Sequence, residues 1–581
     1  MMSSSHKANN SSGSPETTEY DVVVVGSGGG AMLAACRAAD NGLSVLVVEK
    51  CDVYGGTTAI SGGGIWIPCN HVGEAAGAKD SFDEALTYVR ACVGEHMSEA
   101  RVRAYLKHGP RMVRYLHDKT QVRFVPLPEY ADYFQDRPGA KPGFRSLDPK
   151  PFDAARVGAE FIKQRPPLAA TLVGGRMSMT QTEARKMLGK HRGWVGLALT
   201  VMVRYWSDLP WRLRSRRDRR LTLGAALVGS LRVSLQERGI PLWLNTPLRD
   251  LVIKDGRAVG VQVERDGAVV QISARRGVIL AAGGFEWNQA MRDKYLPQPS
   301  RAEWSVTPPH ANTGDAIRAG EAVGAGLDLM QYMWGVPALQ VPGQPQAHPL
   351  FVERALPGSV VVDAKGKRFL NENIAYTDFV QIMYRKQAEE GGTIPAWLVF
   401  DARFRRNYPC GPLFPGSFVP DSRLPQEVRQ IVHRADTLDA LAAQIGVDPV
   451  GLQETVARTN ADAIKGVDSQ FGKGGNCFDT YYGDTTVKPN PCLAPLEKAP
   501  FYALRLVPGD IGTKGGLTTD EHARVLTQAG VAIEGLYAIG NCSAAVMGTS
   551  YPGAGSTIGP AMTFGMLAAD HIALDDVRAS A

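Results

Sequence analysis

The sequence predicts an α/β protein in which a parallel sheet flanked by helices is interrupted by an inserted α+β domain. Three observations carry this. Residues 21–25 (DVVVV) form a short, continuous β-branched run, as a fully buried parallel strand requires. A glycine-rich turn, a helical segment that stops at Gly42 and a second apolar strand follow it at once. Glycine-rich motifs of the same kind lie on both sides of a long middle segment, about 334 to 498, so both ends of the chain contribute to one unit.

The turn comprises Gly26, Ser27, Gly28, Gly29, Gly30 and Ala31. In a strand–turn–helix unit, Gly26 permits the tight turn and Gly28 lets the backbone approach a pyrophosphate. The small Ala31 lets helix pack on strand. The second strand ends at Glu49, 23 positions after Gly26 (49 minus 26), where a carboxylate takes a ribose hydroxyl pair; Lys50 follows it. This order predicts a dinucleotide site, and NAD and FAD share it. A second glycine-rich loop then supplies Gly55, Gly56, Thr57, Thr58, Ser61, Gly62 and Gly63.

That second loop resembles the one lying against the flavin in the fumarate reductase and ketosteroid dehydrogenase superfamily of FAD proteins. Four later segments resemble the same superfamily in the same order. They are residues 276–286 (RGVILAAGGFE, with Ala282 and Gly283), 312–320 (NTGDAIRAG, with Asp315), 512–517 (GTKGGL) and 535–541 (GLYAIGN, with Gly540 and Asn541). The resemblance implies FAD, and residues 55–64 hold no histidine, so non-covalent FAD is expected. It implies a discontinuous Rossmann-like FAD-binding domain over 20–333 and 499–575. A capping, catalytic domain would occupy 334–498, where 367–372 (KRFLNE) resembles the superfamily's capping motif. Residues 1–19, rich in Ser, Asn and Thr, read as a disordered leader, and 140–235 as an apolar and basic insertion.

The reaction class turns on the closing segment. Reducing a dicarboxylate needs convergent Arg and His, yet residues 531–565 contain no Arg, Lys or His. They contain Tyr551 and Gly555 in a glycine turn, then Ser556, Thr557 and Ile558. This segment resembles the C-terminal signature of the 3-ketosteroid Δ1-dehydrogenases. Desaturation beside a ketone needs an electrophile at the ketone oxygen and a base at the α carbon. The Tyr551 hydroxyl and the Gly555 N–H can form a two-donor oxyanion site, and the resemblance implies this pair. It also implies a tyrosine base in the capping domain, matched in order by Tyr376, with hydride passing from the β carbon to flavin N5. A free tyrosine, with a pKa of ~10, is a poor base. The family assists it with a second tyrosine, for which Tyr133 is the better match and Tyr130 the competitor. Three other readings stand beside this one: a 4,5-dehydrogenase of the same steroid ring, a fumarate-type reductase, and a flavin-binding lipid carrier without turnover. Trp287, Trp304, Met330, Met333 and Trp334 gather near the expected domain junction and read better as core than as site.

Composition limits the remaining partners. The 581 residues suit roughly three to four folding units, and 44% hydrophobic with 21% charged residues is ordinary globular usage. A net charge of +6 (64 minus 58) argues against nucleic acid as the main partner. Eight cysteines without a Cys-x-x-Cys pair, and no histidine pair at ligand spacing near the motifs, point to a cytoplasmic protein without a metal site. No apolar run is long enough to span a bilayer. Residues 194–206 (WVGLALTVMVRYW) are nonetheless followed by six arginines within 211–220. Such a segment reads either as a core helix with a solvated charged face or as peripheral membrane contact, arginines on lipid phosphates and the apolar side in the acyl boundary. On the second reading the insertion collects 3-ketosteroids or sterols that keep a side chain. The electron acceptor is left open, with a quinone as one option.

Overall fold

The computed structural model describes residues 18–579, with side chains described as far as residue 574. β1 (Thr18–Val25), α1 (Gly29–Asp40) and β2 (Val45–Val48) follow in the expected order. Val22 to Val25 are at most 4% exposed, because β1 pairs in parallel on both edges and helices cover the sheet. Thr18 and Glu19 already pair with Ile272 and Ser273, so the strand begins inside the span expected to be a leader. The rest of that span lies outside the described residues.

Ala31 is buried, as its place between helix and strand requires, and Gly30 beside it is crowded as well. A Cβ on Gly30 would stand 2.8 Å from the Ala561 carbonyl oxygen, which is where α1 meets the last helix. Gly26 adopts φ +109°, and a Cβ there would strike the Ala281 carbonyl at 2.4 Å.

Along the chain, α2 (Trp194–Ser207) lies at the surface and α3 (Leu223–Glu237) is buried over most of its length. The expected insertion at 140–235 is therefore only partly peripheral. α3 packs on α1 and on the turn at Thr57–Ile60, so closely that a Cβ on Gly224 would lie 1.9 Å from the Thr58 carbonyl. The antiparallel strands β3 (Leu248–Lys254), β4 (Arg257–Arg265) and β5 (Ala268–Leu280) follow, and β5 returns to pair in parallel with β1.

A second, six-stranded sheet is built from β6 (Met333–Leu339), β7 (Ser359–Val362), β8 (Ala396–Phe400) and β9 (Phe501–Thr513) with two short strands. Between β7 and β8, α4 (Tyr376–Glu389) packs on β6 and β9. The boundary expected after residue 498 falls before the last strand of this sheet, because β9 pairs with both β6 and β8. β10 (Ala532–Ala538) then rejoins the first sheet beside β5, and α5 (Ile558–Ala579) covers it. One apolar cluster runs across the seam, joining Val22, Trp66, Tyr133, Trp334 and Tyr551.

Candidate active site

The first loop, the acid and the second loop form one hydrogen-bonded unit. The Ser27 hydroxyl donates to Glu49 at 2.5 Å and accepts from the Gly55 N–H at 3.0 Å. Glu49 also accepts from the Cys51 N–H at 2.9 Å. Lys50 reaches Thr313 and Asp315 at 2.6 and 2.8 Å. Gly29 N–H donates to the Thr58 hydroxyl at 3.0 Å, and the side chain of Asn312 donates to Thr57 at 2.9 Å. Ser61 holds the loop by donating to the Thr58 carbonyl and accepting from Gly63. Gly56 sits at φ +51°, with Gly28 across from it, and a Cβ on Gly62 would meet only open space.

The later motifs close around the same place. Ala282 N–H donates to Cys542 Sγ at 3.0 Å, and Gly283 at φ +83° lies against Asn312. Gly540 begins the turn after β10, and Asn541 accepts from the Trp334 indole at 3.1 Å. Ser556 donates back to the Gly553 carbonyl at 2.8 Å. Just beyond it α5 starts at Ile558, so its free N–H groups and positive dipole end lie beside Thr557. These residues fit FAD: glycines where a side chain would fill the cradle, a carboxylate for a ribose, and a helix N-terminus for negative charge.

The tyrosines expected to act together are brought together. Ring centres lie 5.4 Å apart for Tyr376 and Tyr551, 5.3 Å for Tyr133 and Tyr551, and 6.0 Å for Tyr133 and Tyr376. Tyr130 stands behind Tyr133 at 6.4 Å, so Tyr133 is the one that contacts both partners. The position of Tyr133 follows from its neighbour. Asp132 is buried, accepting from the Trp66 indole and from Arg145, both at 2.7 Å, while Tyr133 N–H donates to the Pro552 carbonyl.

Gly555 must be glycine. It adopts φ +102°, and a Cβ would lie 2.4 Å from Ile65 Cα. This contact holds the turn that carries Tyr551 against the strand at Ile65 and Trp66. Burial raises the Tyr551 pKa, offset by Tyr376, the Gly555 N–H and Thr557, so the phenol is protonated at neutral pH and able to donate. Burial pushes Tyr376 well above the usual tyrosine value, as does Tyr551, while the Tyr133 hydroxyl pulls it the other way. Tyr376 opens α4, where the helix dipole favours negative charge. Arg354 is buried beneath that helix start and donates to the carbonyls of Ile374 and Phe351 at 3.2 and 3.1 Å. A cleft lined by Tyr133, Tyr376, Phe351, Phe478, Tyr481 and Arg354 leads from this cluster.

Two neighbours of the tyrosine cluster were not singled out. Trp334 is buried in an apolar cluster, as expected, and also packs on Tyr551 at 5.2 Å; Met330, Met333 and Trp304 likewise belong to apolar clusters. Lys514, inside the quoted GTKGGL motif, lies behind the Tyr551 turn. No pattern of residue types flagged it.

The family model for the FAD binding domain matches residues 21–558. A 3-oxosteroid 1-dehydrogenase of Mycobacterium tuberculosis is 43% identical over 96% of this chain and 98% of its own length. Another from Comamonas testosteroni is 42% identical over 94% and 95%. The chain belongs to the 3-oxosteroid 1-dehydrogenase family of FAD proteins. The crystal structure of the 3-ketosteroid Δ1-dehydrogenase from Sterolibacterium denitrificans in complex with 1,4-androstadiene-3,17-dione superposes with a TM-score of 0.94. It is 53% identical, covering 96% of this chain and 100% of that one. A flavocytochrome fumarate reductase, at 21% identity and a TM-score of 0.63, shares the fold alone.

In this family member the Gly555 constraint is testable directly. In Gly555→Ala the Cβ would strike Ile65 and displace the turn, so kcat per bound FAD should fall by about 100-fold, the size expected for a lost oxyanion donor. Steady-state rates with flavin content measured on the same samples check it.

Proposed function

We propose that the protein desaturates the 1,2 bond of 3-ketosteroids with FAD, and that Tyr551, Gly555, Tyr376 and Tyr133 do the protein's share of the chemistry. The observation that carries this is the mutual contact of the Tyr133, Tyr376 and Tyr551 rings, with Gly555 in the same turn as Tyr551 and an aromatic-lined cleft opening beside Tyr133 and Tyr376. The Tyr551 hydroxyl and Gly555 N–H receive the ketone oxygen and hold the negative charge that develops as the α proton leaves. The Tyr376 oxygen takes that proton, and the Tyr133 hydroxyl beside it favours the anion needed beforehand. When bound, the flavin supplies the acceptor for the β hydrogen and its electron pair. The aromatic lining excludes water and suits a flat apolar ring system. The 53%-identical relative was crystallised with a 1,4-diene-3-one, the kind of product this geometry would release.

We also propose that the surface around α2 touches a membrane and collects steroids from it. Val195, Leu199, Val203 and Trp206 recur at helical spacing and are 52–65% exposed; Leu209 and Leu213 extend the face at 65% and 90%. Only Val201 and Tyr205 of α2 are buried, which favours this over a core helix. The arginines contribute less than their number suggests. Arg217 donates to the carbonyls of Phe161 and Gln164, Arg212 to those of Arg216 and Arg217, and Arg219 and Arg220 pair with Asp153 and Glu183. Arg214 and Arg216 remain exposed to meet lipid phosphate. Among the described residues no helix is long and apolar enough to cross a membrane.

Anaerobic addition of 4-androstene-3,17-dione to the yellow protein should bleach the flavin band and yield the 1,4-diene, identified by mass and NMR; an unbleached flavin would return the assignment to a carrier. Burial raises Tyr376, so its anion gains population as pH rises and turnover should climb with pH. Tyr133→Phe removes the hydrogen bond that favours the anion, moving that climb about one pH unit higher and lowering the neutral-pH rate roughly tenfold. Leu199→Ser with Leu213→Ser should reduce sedimentation with anionic vesicles and leave turnover of dissolved 4-androstene-3,17-dione unchanged.

A further inference from the structure

Lys514 has no exposed surface and sits behind the turn that carries Tyr551. Its Nζ donates to the Thr549 carbonyl at 2.6 Å and to the Ser550 carbonyl at 2.8 Å, the two peptides that lead into Tyr551. The same Nζ stands 4.3 Å from the centre of the Trp334 ring, which also packs on Tyr551. Gln381 of α4 donates to the Thr549 carbonyl at 2.8 Å, so that one carbonyl accepts two hydrogen bonds from the second unit. The opposing charge is Asp378, two residues after Tyr376 on α4, which acts on Lys514 through its field. Burial lowers the Lys514 pKa to about 7, and the Asp378 carboxylate acts against that fall.

A buried lysine is an expensive way to fill space. A methionine would pack as well, without an ion to desolvate. What the lysine adds is a second anchor on the turn and a positive charge beside the peptides that carry Tyr551.

We propose that Lys514 is a positioning residue of the oxyanion site: through the Thr549 and Ser550 carbonyls it fixes the direction of the Tyr551 hydroxyl, and its charge favours the enolate formed there. This rests on the assignment of Tyr551 to the ketone oxygen. It also links electrophile to base, because the partners that balance and share its grip, Asp378 and Gln381, lie on the helix that Tyr376 opens.

The test uses holoenzyme and a steroid whose first ring is a phenol carrying fluorine beside the hydroxyl, a mimic of the enolate whose fluorine NMR shift reports ionisation. The wild type should bind it as the phenolate at neutral pH. Lys514→Met and Lys514→Gln, with FAD retained, should bind it at least about tenfold more weakly and as the neutral phenol. Their kcat with 4-androstene-3,17-dione should fall at least about tenfold, with KM within about twofold. Lys514→Arg should recover part of both. Unchanged ionisation and turnover in the Met and Gln variants would overturn the proposal. A wild type that binds only the neutral phenol would overturn it too, without need of a folded variant. Tyr551→Phe measured alongside separates the premises. If it is also silent, Tyr551 is misassigned; if it loses activity while the lysine variants do not, Lys514 alone is.

Discussion

The site depends on a backbone contact. The turn from Tyr551 to Gly555 must pass against the short strand at Ile65 and Trp66, and it does so only because Gly555 lacks a Cβ. Everything that reacts is referenced to that contact. Gly553 lies where a Cβ would stand 2.3 Å from the Trp66 ring, the Ala554 carbonyl accepts from Ser146, and the Pro552 carbonyl accepts from both Tyr88 and the Tyr133 N–H. Tyr133, Tyr551 and Gly555, the proposed assisting phenol and oxyanion donors, are thus mounted on one piece of the first sheet unit. Such mounting is what precise hydrogen-bond geometry requires. The base arrives from the other unit, at the first residue of α4.

Burial acts differently on two phenols barely one ring apart. It keeps Tyr551 protonated, the state in which it donates, and it opposes the anion that Tyr376 must become. The same desolvation therefore helps one partner and hinders the other, so the compensation has to be local to Tyr376. The helix start and the Tyr133 hydroxyl supply it, both within the immediate surroundings of that ring. A global shift of charge would move both phenols together and serve neither.

The parts legible in the sequence are those where the backbone dictates residue type. Gly26, Gly283 and Gly555 all sit at positive φ, and β1 is a run of valines because a strand paired on both sides is buried on both faces. Tyr551 and Gly555 could be paired from sequence because a glycine turn brings them together over four residues. Lys514 could not. It lies 37 residues from Tyr551 (551 minus 514) and reaches it only because β9 delivers it to the seam, whereas the absence of cations from 531–565 described chain neighbours alone. The contact of Trp334 with Tyr551 was hidden for the same reason, on the strand paired with β9. The boundary after residue 498 was misplaced because a strand crossing between units leaves no break in composition. α3 was taken for insertion because apolar spacing does not reveal which surface a helix covers.

The seam also explains how one strand can serve two sheets. β9 is held in the second sheet by β6 and β8, yet its last residue, Thr513, and Lys514 just after it bond to turns of the first unit. Thr513 accepts from the Phe285 N–H in the turn after β5, and Asp510, three residues earlier, forms a fully buried ion pair with Arg292 at 2.7 Å. Breaking a buried pair on one side leaves an unpaired charge at a cost of about 3–5 kcal/mol, so the two units resist sliding along this line. Restraint of that kind matters more here than in a site built on one element. The electrophile and the base belong to different sheets, and their spacing is only as definite as the joint between them.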